Sequence, residues 1–241
     1  MKYPRTVMLC CLLLTALLTL SARAANSVLL WPIDPKIASG EKATELWMEN
    51  RGDSTTLMQV RVFLWQQKNG QEQYQTQQQI LASPPMVRIE PGKKQLIRLI
   101  KQVAPAAGTE AAYRILLDEI PTPPSERSGK NHAGLSFQMR YSVPLFVYGE
   151  GASADKTQPQ LSWRLVNRDG KQAIEVTNGG NGFARLSHVA LGGRMIADSL
   201  LGYVLAHSTN TFPLNFPASG REELSARLGN KQVWRSASQP R

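Results

Sequence analysis

Leu135-Ser136-Phe137-Gln138-Met139-Arg140-Tyr141-Ser142-Val143-Pro144-Leu145-Phe146-Val147 holds an apolar side chain at every odd position for thirteen residues. Ser136, Gln138, Arg140 and Ser142 occupy the opposite face. Side chains alternate across a strand and repeat every 3.6 residues on a helix, so the run reads as β-strand. Extended, it spans about 40 Å, longer than most strands in globular proteins. Two roles fit it. As a central strand, paired on both sides, it is core. As an edge strand it is an aggregation hazard unless it is lent to a partner, with backbone bonds giving affinity and alternate side chains filling pockets. The preceding loop, Ser125 to Gly134, is polar and contains glycine. Such a loop suits a segment that orders only around a partner.

The same period of two recurs outward in both directions. Thr44, Leu46 and Met48 alternate with Glu45 and Glu49, and Asn50-Arg51-Gly52-Asp53 turns the chain. Met58, Val60, Val62 and Leu64 follow, then Asn69-Gly70, a strong hairpin signal inside a Gln-rich tip. Ile97 and Leu99 share one face of a strand whose other face holds Leu96, Arg98 and Ile100. Tyr113, Ile115 and Leu117 form another, stopped by Pro121, Pro123 and Pro124. Further on, Leu161, Trp163 and Leu165 lead to Asp169-Gly170 and then to Ile174 and Val176. Short strands with turns every 8–12 residues predict an all-β protein built of β-sandwiches. The one helical expectation is a short piece near Arg221 to Leu228. No internal repeat is visible.

The small, polar stretch Gly149-Glu150-Gly151-Ala152-Ser153-Ala154-Asp155 reads as a boundary. It separates residues 25–149 from residues 150–241, and each part suits one immunoglobulin-like sandwich of roughly 100 residues. The first part ends in the long alternating strand, residues 135–147.

Residues 1–24 read as a cleaved secretory signal. Lys2 and Arg5 precede an apolar stretch from Val7 to Leu20, and Ala22-Arg23-Ala24 offers small residues at the cleavage site. Cys10 and Cys11 lie inside that stretch without a convincing lipobox. Cleavage after Ala24 leaves 217 of the 241 residues, all without cysteine. It removes three bases and no acid, taking the formal charge from +10 to +7. No other stretch is long and apolar enough for a membrane helix, so no integral membrane segment is expected after cleavage.

This composition narrows the chemistry. A cysteine-free mature chain has no disulfide framework and no cysteine zinc site. His132, His188 and His207 are not spaced as a metal motif, so no metal and no cofactor are expected. In an exported protein the basic charge points away from nucleic acid and toward acidic proteins, membrane surfaces or plain solubility. There is no Gly-x-Ser-x-Gly elbow for a hydrolase and no phosphate-binding loop. The expectation is not an enzyme. Trp31, Trp47, Trp65, Trp163 and Trp234 are candidate platforms for a carbohydrate-binding module, but they are scattered over the strands and suit core positions.

Several motifs resemble one family. Ser83-Pro84-Pro85-Met86-Val87-Arg88-Ile89-Glu90-Pro91-Gly92, followed by Gln95-Leu96-Ile97-Arg98-Leu99, is similar to the hallmark of PapD-like periplasmic pilus chaperones. Asp118-Glu119-Ile120-Pro121 resembles that family's acidic-Ile-Pro element, and the long strand falls where its donor strand lies. Tyr203-Val204-Leu205-Ala206, with Ser208, Thr209 and Thr211-Phe212-Pro213-Leu214, resembles the strand pair of its second domain. Leu30-Trp31-Pro32-Ile33-Asp34-Pro35 and Leu46-Trp47-Met48-Glu49-Asn50-Arg51-Gly52-Asp53 are most similar to the archaic chaperone–usher branch.

The resemblance implies two immunoglobulin-like domains set at an angle, located in the periplasm. It implies a chaperone that completes pilus (fimbrial) subunits lacking their last strand and passes them to an outer-membrane usher. Leu135, Phe137, Met139, Tyr141 and Val143 would plug the subunit's pockets, with Val28 and Leu30 pairing on the groove's other side. The family also anchors the subunit's C-terminal carboxylate with two basic residues, one on the first strand and one on the donor strand. Here Pro144 stands at the donor-strand position, Pro35 or its neighbour Lys36 at the other, and Phe146-Val147-Tyr148-Gly149 where an arginine would follow. The candidate anchors are Lys36, Arg88, Arg98 and Arg140, against the plainer reading of each arginine as part of a solvated sheet face. The rival to a chaperone is an exported immunoglobulin-like adhesin or structural fibre subunit. That reading expects a polymerising N-terminal extension and often a disulfide.

Overall fold

The computed structural model describes residues 28–121, 138–229 and 232–237. Every regular element among them is a strand. The first ten are β1 (Val28–Trp31), β2 (Lys36–Ile37), β3 (Ala43–Asn50), β4 (Thr56–Lys68), β5 (Gln71–Thr76), β6 (Ile80–Ser83), β7 (Met86–Ile89), β8 (Lys94–Lys101), β9 (Glu110–Ile120) and β10 (Arg140–Tyr148). The remaining seven are β11 (Leu161–Arg168), β12 (Lys171–Asn178), β13 (Ala184–Leu191), β14 (Arg194–Val204), β15 (Ser208–Pro213), β16 (Glu223–Arg227) and β17 (Val233–Ala237).

These strands form two sandwiches. In the first, a sheet ordered β1-β3-β8-β6 faces a sheet ordered β2-β10-β9-β4-β5, with β7 also paired to β4. In the second, β11-β12-β15 faces β14-β13-β16-β17. Alternation builds both cores. Leu46 and Met48 from β3 and Ile97 and Leu99 from β8 meet Met58, Val60, Ile115 and Leu117 from the facing sheet. Trp163, Ile174, Val176, Leu186, Val189 and Leu224 fill the second interior. Each such side chain contributes about 1.5–3 kcal/mol when fully buried. The turns follow the sequence signals. Asn69 and Gly70, and Asp169 and Gly170, all take positive φ. Buried Asn50 holds its own turn by accepting from the Gly52 amide at 2.9 Å and donating to the Ser54 and Ile89 carbonyls at 2.8 and 2.9 Å.

Two expectations are corrected. Arg221 to Leu228 is not helical: β16 occupies Glu223–Arg227, because Leu224, Ala226 and Leu228 alternate into the core and β13 and β17 flank the strand. The segments around Tyr203 and Thr211 are consecutive strands, β14 and β15, but not a pair. β14 bonds to β13 and β15 to β12, so they lie in different sheets.

A third apolar cluster joins the sandwiches. Trp65, Ala112, Phe146 and Tyr148 from the first meet Tyr203 and Leu205 from the second, with Phe183 packed against them. Phe183 stacks on Phe146 with centroids 3.6 Å apart and planes 3° from parallel. The Gln67 side chain donates to the Tyr203 carbonyl at 2.8 Å and accepts from the Leu205 amide at 2.9 Å. The Arg114 guanidinium sits 3.6 Å over Trp65. At the hairpin tip Gly70 bridges Asn210, and Arg168 donates to the Asn69 carbonyl.

Candidate functional site

The long alternating strand is described from Gln138 onward, so Leu135, Phe137 and the Ser125–Gly134 loop lie outside the described residues. What remains is central at one end and an edge at the other. β10 pairs antiparallel with β9 along its whole length. On its other side β2 reaches only Phe146 and Val147. From Arg140 to Leu145 no described strand lies on that side.

The phase of this edge follows from two hydrogen bonds. The Glu119 amide donates to the Met139 carbonyl at 2.9 Å. Antiparallel pairing alternates, so Met139, Tyr141, Val143 and Leu145 turn their backbone groups to β9, while Arg140, Ser142 and Pro144 turn theirs outward. Phe146 continues the outward phase, its amide donating to the Pro35 carbonyl at 3.3 Å. Pro144 thus occupies an outward position, where a missing N–H leaves no ladder bond unmade.

The odd side chains point between the two sheets. Leu145 and Val147 are fully buried, Val143 is 6% exposed, Tyr141 is half-buried and Met139 is 42% exposed. Val143 therefore already belongs to the chain's own core. Among the described candidate plugs only Met139 and Tyr141 have surface left to bury. β1, the last strand of its sheet, runs along the same open side: the Val28 amide donates to the Tyr141 hydroxyl at 3.1 Å. Val28 and Leu30 point inward and pack on the core, because their partners in β3 are Asn50 and Met48. Their backbone groups face the open side, where the Val28 amide is held by Tyr141. Leu29, 46% exposed, and Trp31 face outward instead.

Asp118 steadies the start of β10. Its carboxylate accepts from Arg61 at 2.7 Å and from Arg140. Burial pushes the Asp118 carboxyl up, but the hydrogen bonds and charges of Arg140 and Arg61 more than offset this and hold it below the usual range.

The four candidate anchors do not converge. Arg140 is tied to Asp118 on the outer face of its sheet. Arg88 lies in β7 opposite Leu57, and Arg98 lies in β8 opposite Glu45, both exposed. Lys36 alone reaches the cleft between the sandwiches, lining a cavity of about 400 Å³ with Glu110, Tyr148, Asp155, Thr157 and Arg185. Arg185 escaped the sequence reading because only the pairing of β13 with β14, which sets it opposite Tyr203, brings it there. Glu110 bridges the sandwiches by accepting from the Phe183 amide at 2.9 Å. Burial pushes its carboxyl up to about 7, against the pull of that amide, the Tyr148 hydroxyl and Lys36. Burial likewise raises the Tyr148 hydroxyl, helped by the adjacent Glu110 charge.

The tryptophans also divide. Trp65 and Trp163 are buried, whereas Trp31, Trp47 and Trp234 lie at half-buried sheet positions. Among the described residues no group of three or more His, Cys, Asp or Glu is placed to hold a metal ion. No helix there is long and apolar enough to cross a membrane.

Comparison with known proteins places this geometry. Residues 36–152 match the family of pili and flagellar-assembly chaperones, PapD N-terminal domain. A search of curated protein sequences gave no match. A chain in the crystal structure of the CsuC–CsuE chaperone–tip adhesion subunit pre-assembly complex, from archaic chaperone–usher Csu pili of Acinetobacter baumannii, is 32% identical. That match has a TM-score of 0.76 and covers 89% of this chain and 100% of that one. The Pseudomonas aeruginosa CupB2 chaperone shares the fold at 17% identity, with a TM-score of 0.61 over 88% of this chain and 100% of that one. So does a chain of the Salmonella enterica SafA pilin–SafB chaperone complex, at 16% identity and a TM-score of 0.64 over 90% and 98% of the two chains. With a matched family domain and a relative at 32% identity that matches over 89% of this chain, the chain belongs to the PapD-like family of pilus-assembly chaperones.

Proposed function

We propose that this protein is exported by the signal at residues 1–24 and acts in the periplasm, where it captures pilus subunits by lending them β10 and hands them to an outer-membrane usher. Residues 25–149 form the capturing domain and residues 150–241 the second domain. The observation that carries the reading is the half-open strand. Among the described residues the Arg140 to Leu145 stretch is paired with a strand on one side only, beside the open edge of β1. A subunit sandwich lacking one strand exposes the complementary defect, unpaired backbone above apolar pockets.

The chemistry of the exchange is backbone pairing plus burial. Arg140 and Ser142 each offer an N–H and a carbonyl, and Pro144 offers a carbonyl alone. Each bond made is worth about 0.5–1.5 kcal/mol net. Met139, 42% exposed, adds on the order of 1 kcal/mol if the partner covers the rest of it, and its flexible chain suits related but unequal pockets. Leu135 and Phe137 continue the same alternation in the sequence and lie outside the described residues. Lys36, in the cleft, is the best placed of the four candidates to receive the subunit's terminal carboxylate. Arg140 is committed to Asp118, and Arg88 and Arg98 lie on other strands.

The test is co-expression of the full-length protein with the small exported proteins encoded beside it, followed by sizing of periplasmic complexes. A one-to-one complex that protects an otherwise degraded partner is the expected result. A protein that purifies alone, beside neighbours that are stable without it, contradicts the reading. Fibres formed by the protein itself would instead establish the adhesin or structural-subunit alternative.

A further inference from the structure

The outer face of the β1-β3-β8-β6 sheet is organised in rows set by strand register. Trp31 stands opposite Trp47, and Trp47 stands opposite Leu96. The two indoles lie 7° from parallel with centroids 6.1 Å apart. The Lys94 ammonium sits 5.4 Å over the Trp31 ring, and the Trp47 indole N–H donates to Glu45 at 3.1 Å. The adjacent rows carry charge: Glu49 and Lys94 share one with Leu29, which stands at its β1 end, and Glu45 faces Arg98 in the other. A single apolar row therefore crosses three strands between two charged ones. Leu96 closes one end. The other end runs out at Trp31, on a strand with no described strand on its outer side.

Cross-strand neighbours on one face of a sheet lie about 4.5–5.5 Å apart, so a strand added to β1 sets one of its side chains directly against Trp31. We infer that Trp31 fixes the register of the captured subunit strand by receiving an apolar or aromatic side chain on that strand's outward face, extending the Trp31–Trp47–Leu96 row into the partner. The inference rests on the reading that β1 and β10 pair with a subunit, and it is continuous with that edge. A one-residue slip turns the partner's side chain to the opposite face, where it no longer meets Trp31. The contact is separate from the inward plugs, since Trp31 points away from the sandwich interior.

The experiment measures subunit capture by the full-length protein and by Trp31→Ser, Trp31→Phe, Leu96→Ser and Met139→Asp, each checked by thermal unfolding. Trp31→Ser is expected to weaken capture about tenfold, the size of a lost aromatic pair. Trp31→Phe should restore most of the loss, and Leu96→Ser should behave as wild type. If Met139→Asp abolishes capture while Trp31→Ser leaves it unchanged, the inference falls and the edge-pairing reading stands. If Met139→Asp captures normally, the edge-pairing reading falls and takes the inference with it. If Leu96→Ser loses as much as Trp31→Ser, the face docks a partner broadside, and the inference is overturned. Should Trp31→Ser fail to fold, indole emission decides. The wild-type spectrum minus that of Trp31→Phe should shift to the blue on capture, and no shift overturns the proposal.

Discussion

Replacing Glu110 with glutamine should stabilise the protein at alkaline pH and leave it unchanged at acid pH. Glu110 accepts from the Phe183 amide across the junction of the sandwiches, and a glutamine oxygen keeps that bond. What the substitution removes is a charge that burial disfavours, with a carboxyl raised from 4.5 to about 7. The folded protein holds this proton more tightly than the unfolded chain, so the stabilising effect is complete below about pH 4.5 and is lost as pH rises through about 7. At ~1.36 kcal/mol per pH unit the full loss is about 3 kcal/mol. The glutamine variant has no such loss. Urea unfolding of both proteins from pH 4 to pH 8.5 should give curves that nearly coincide at pH 4 and separate by up to about 3 kcal/mol at pH 8.5, glutamine higher. Parallel curves would refute the argument, because Glu110 would then ionise over the same pH range in the folded and unfolded states.

Met139→Asp places a charge at an exposed position on the inward phase of the open edge, so the fold should survive while capture is lost. A desolvated, unpaired carboxylate costs several kcal/mol, more than the ~1 kcal/mol that covering the rest of Met139 supplies. Pull-down of co-expressed subunit, with circular dichroism as the control, checks it. Gly70→Val should loosen the contact between the sandwiches. A Cβ at Gly70 would lie 2.1 Å from the Thr211 hydroxyl, and the backbone holds φ at +71°. The conformation alone costs about 1–2 kcal/mol for a residue with a side chain. Faster limited proteolysis at the junction is expected, and unchanged proteolysis would count against the hairpin as a lock.

Alternation made the strands legible in sequence, and the Asn50, Asn69-Gly70 and Asp169-Gly170 turns were marked by residues that tolerate their backbone. Sheet membership was not. Val143 and Met139 share a phase in the sequence, yet Val143 packs into the core between the sheets while Met139, just before β10, stays exposed. Among the described residues the strand is flanked on both sides at Phe146 and Val147 and on one side from Arg140 to Leu145. The Arg221–Leu228 stretch misled because its three apolar residues suit either a helical turn or a short strand until β13 and β17 flank it. The cleft was invisible for a related reason. Glu110, Lys36 and Arg185 are distant in sequence: β10, lying between β2 and β9, brings Lys36 and Glu110 together, and the junction where Phe183 packs on Phe146 adds Arg185.

The central claim is that Arg140 and Ser142 keep their backbone groups free for a subunit. Amide hydrogen exchange, read residue by residue on the monomeric protein alone and in a one-to-one complex with a subunit, tests it most directly. Tyr141, bonded to β9, should be protected in both states. Arg140 and Ser142 should exchange quickly in the free protein and slow at least ~100-fold on capture, as amides entering a stable ladder do. Arg140 and Ser142 amides that are already protected in the monomer, or that exchange equally fast in the complex, would contradict the account.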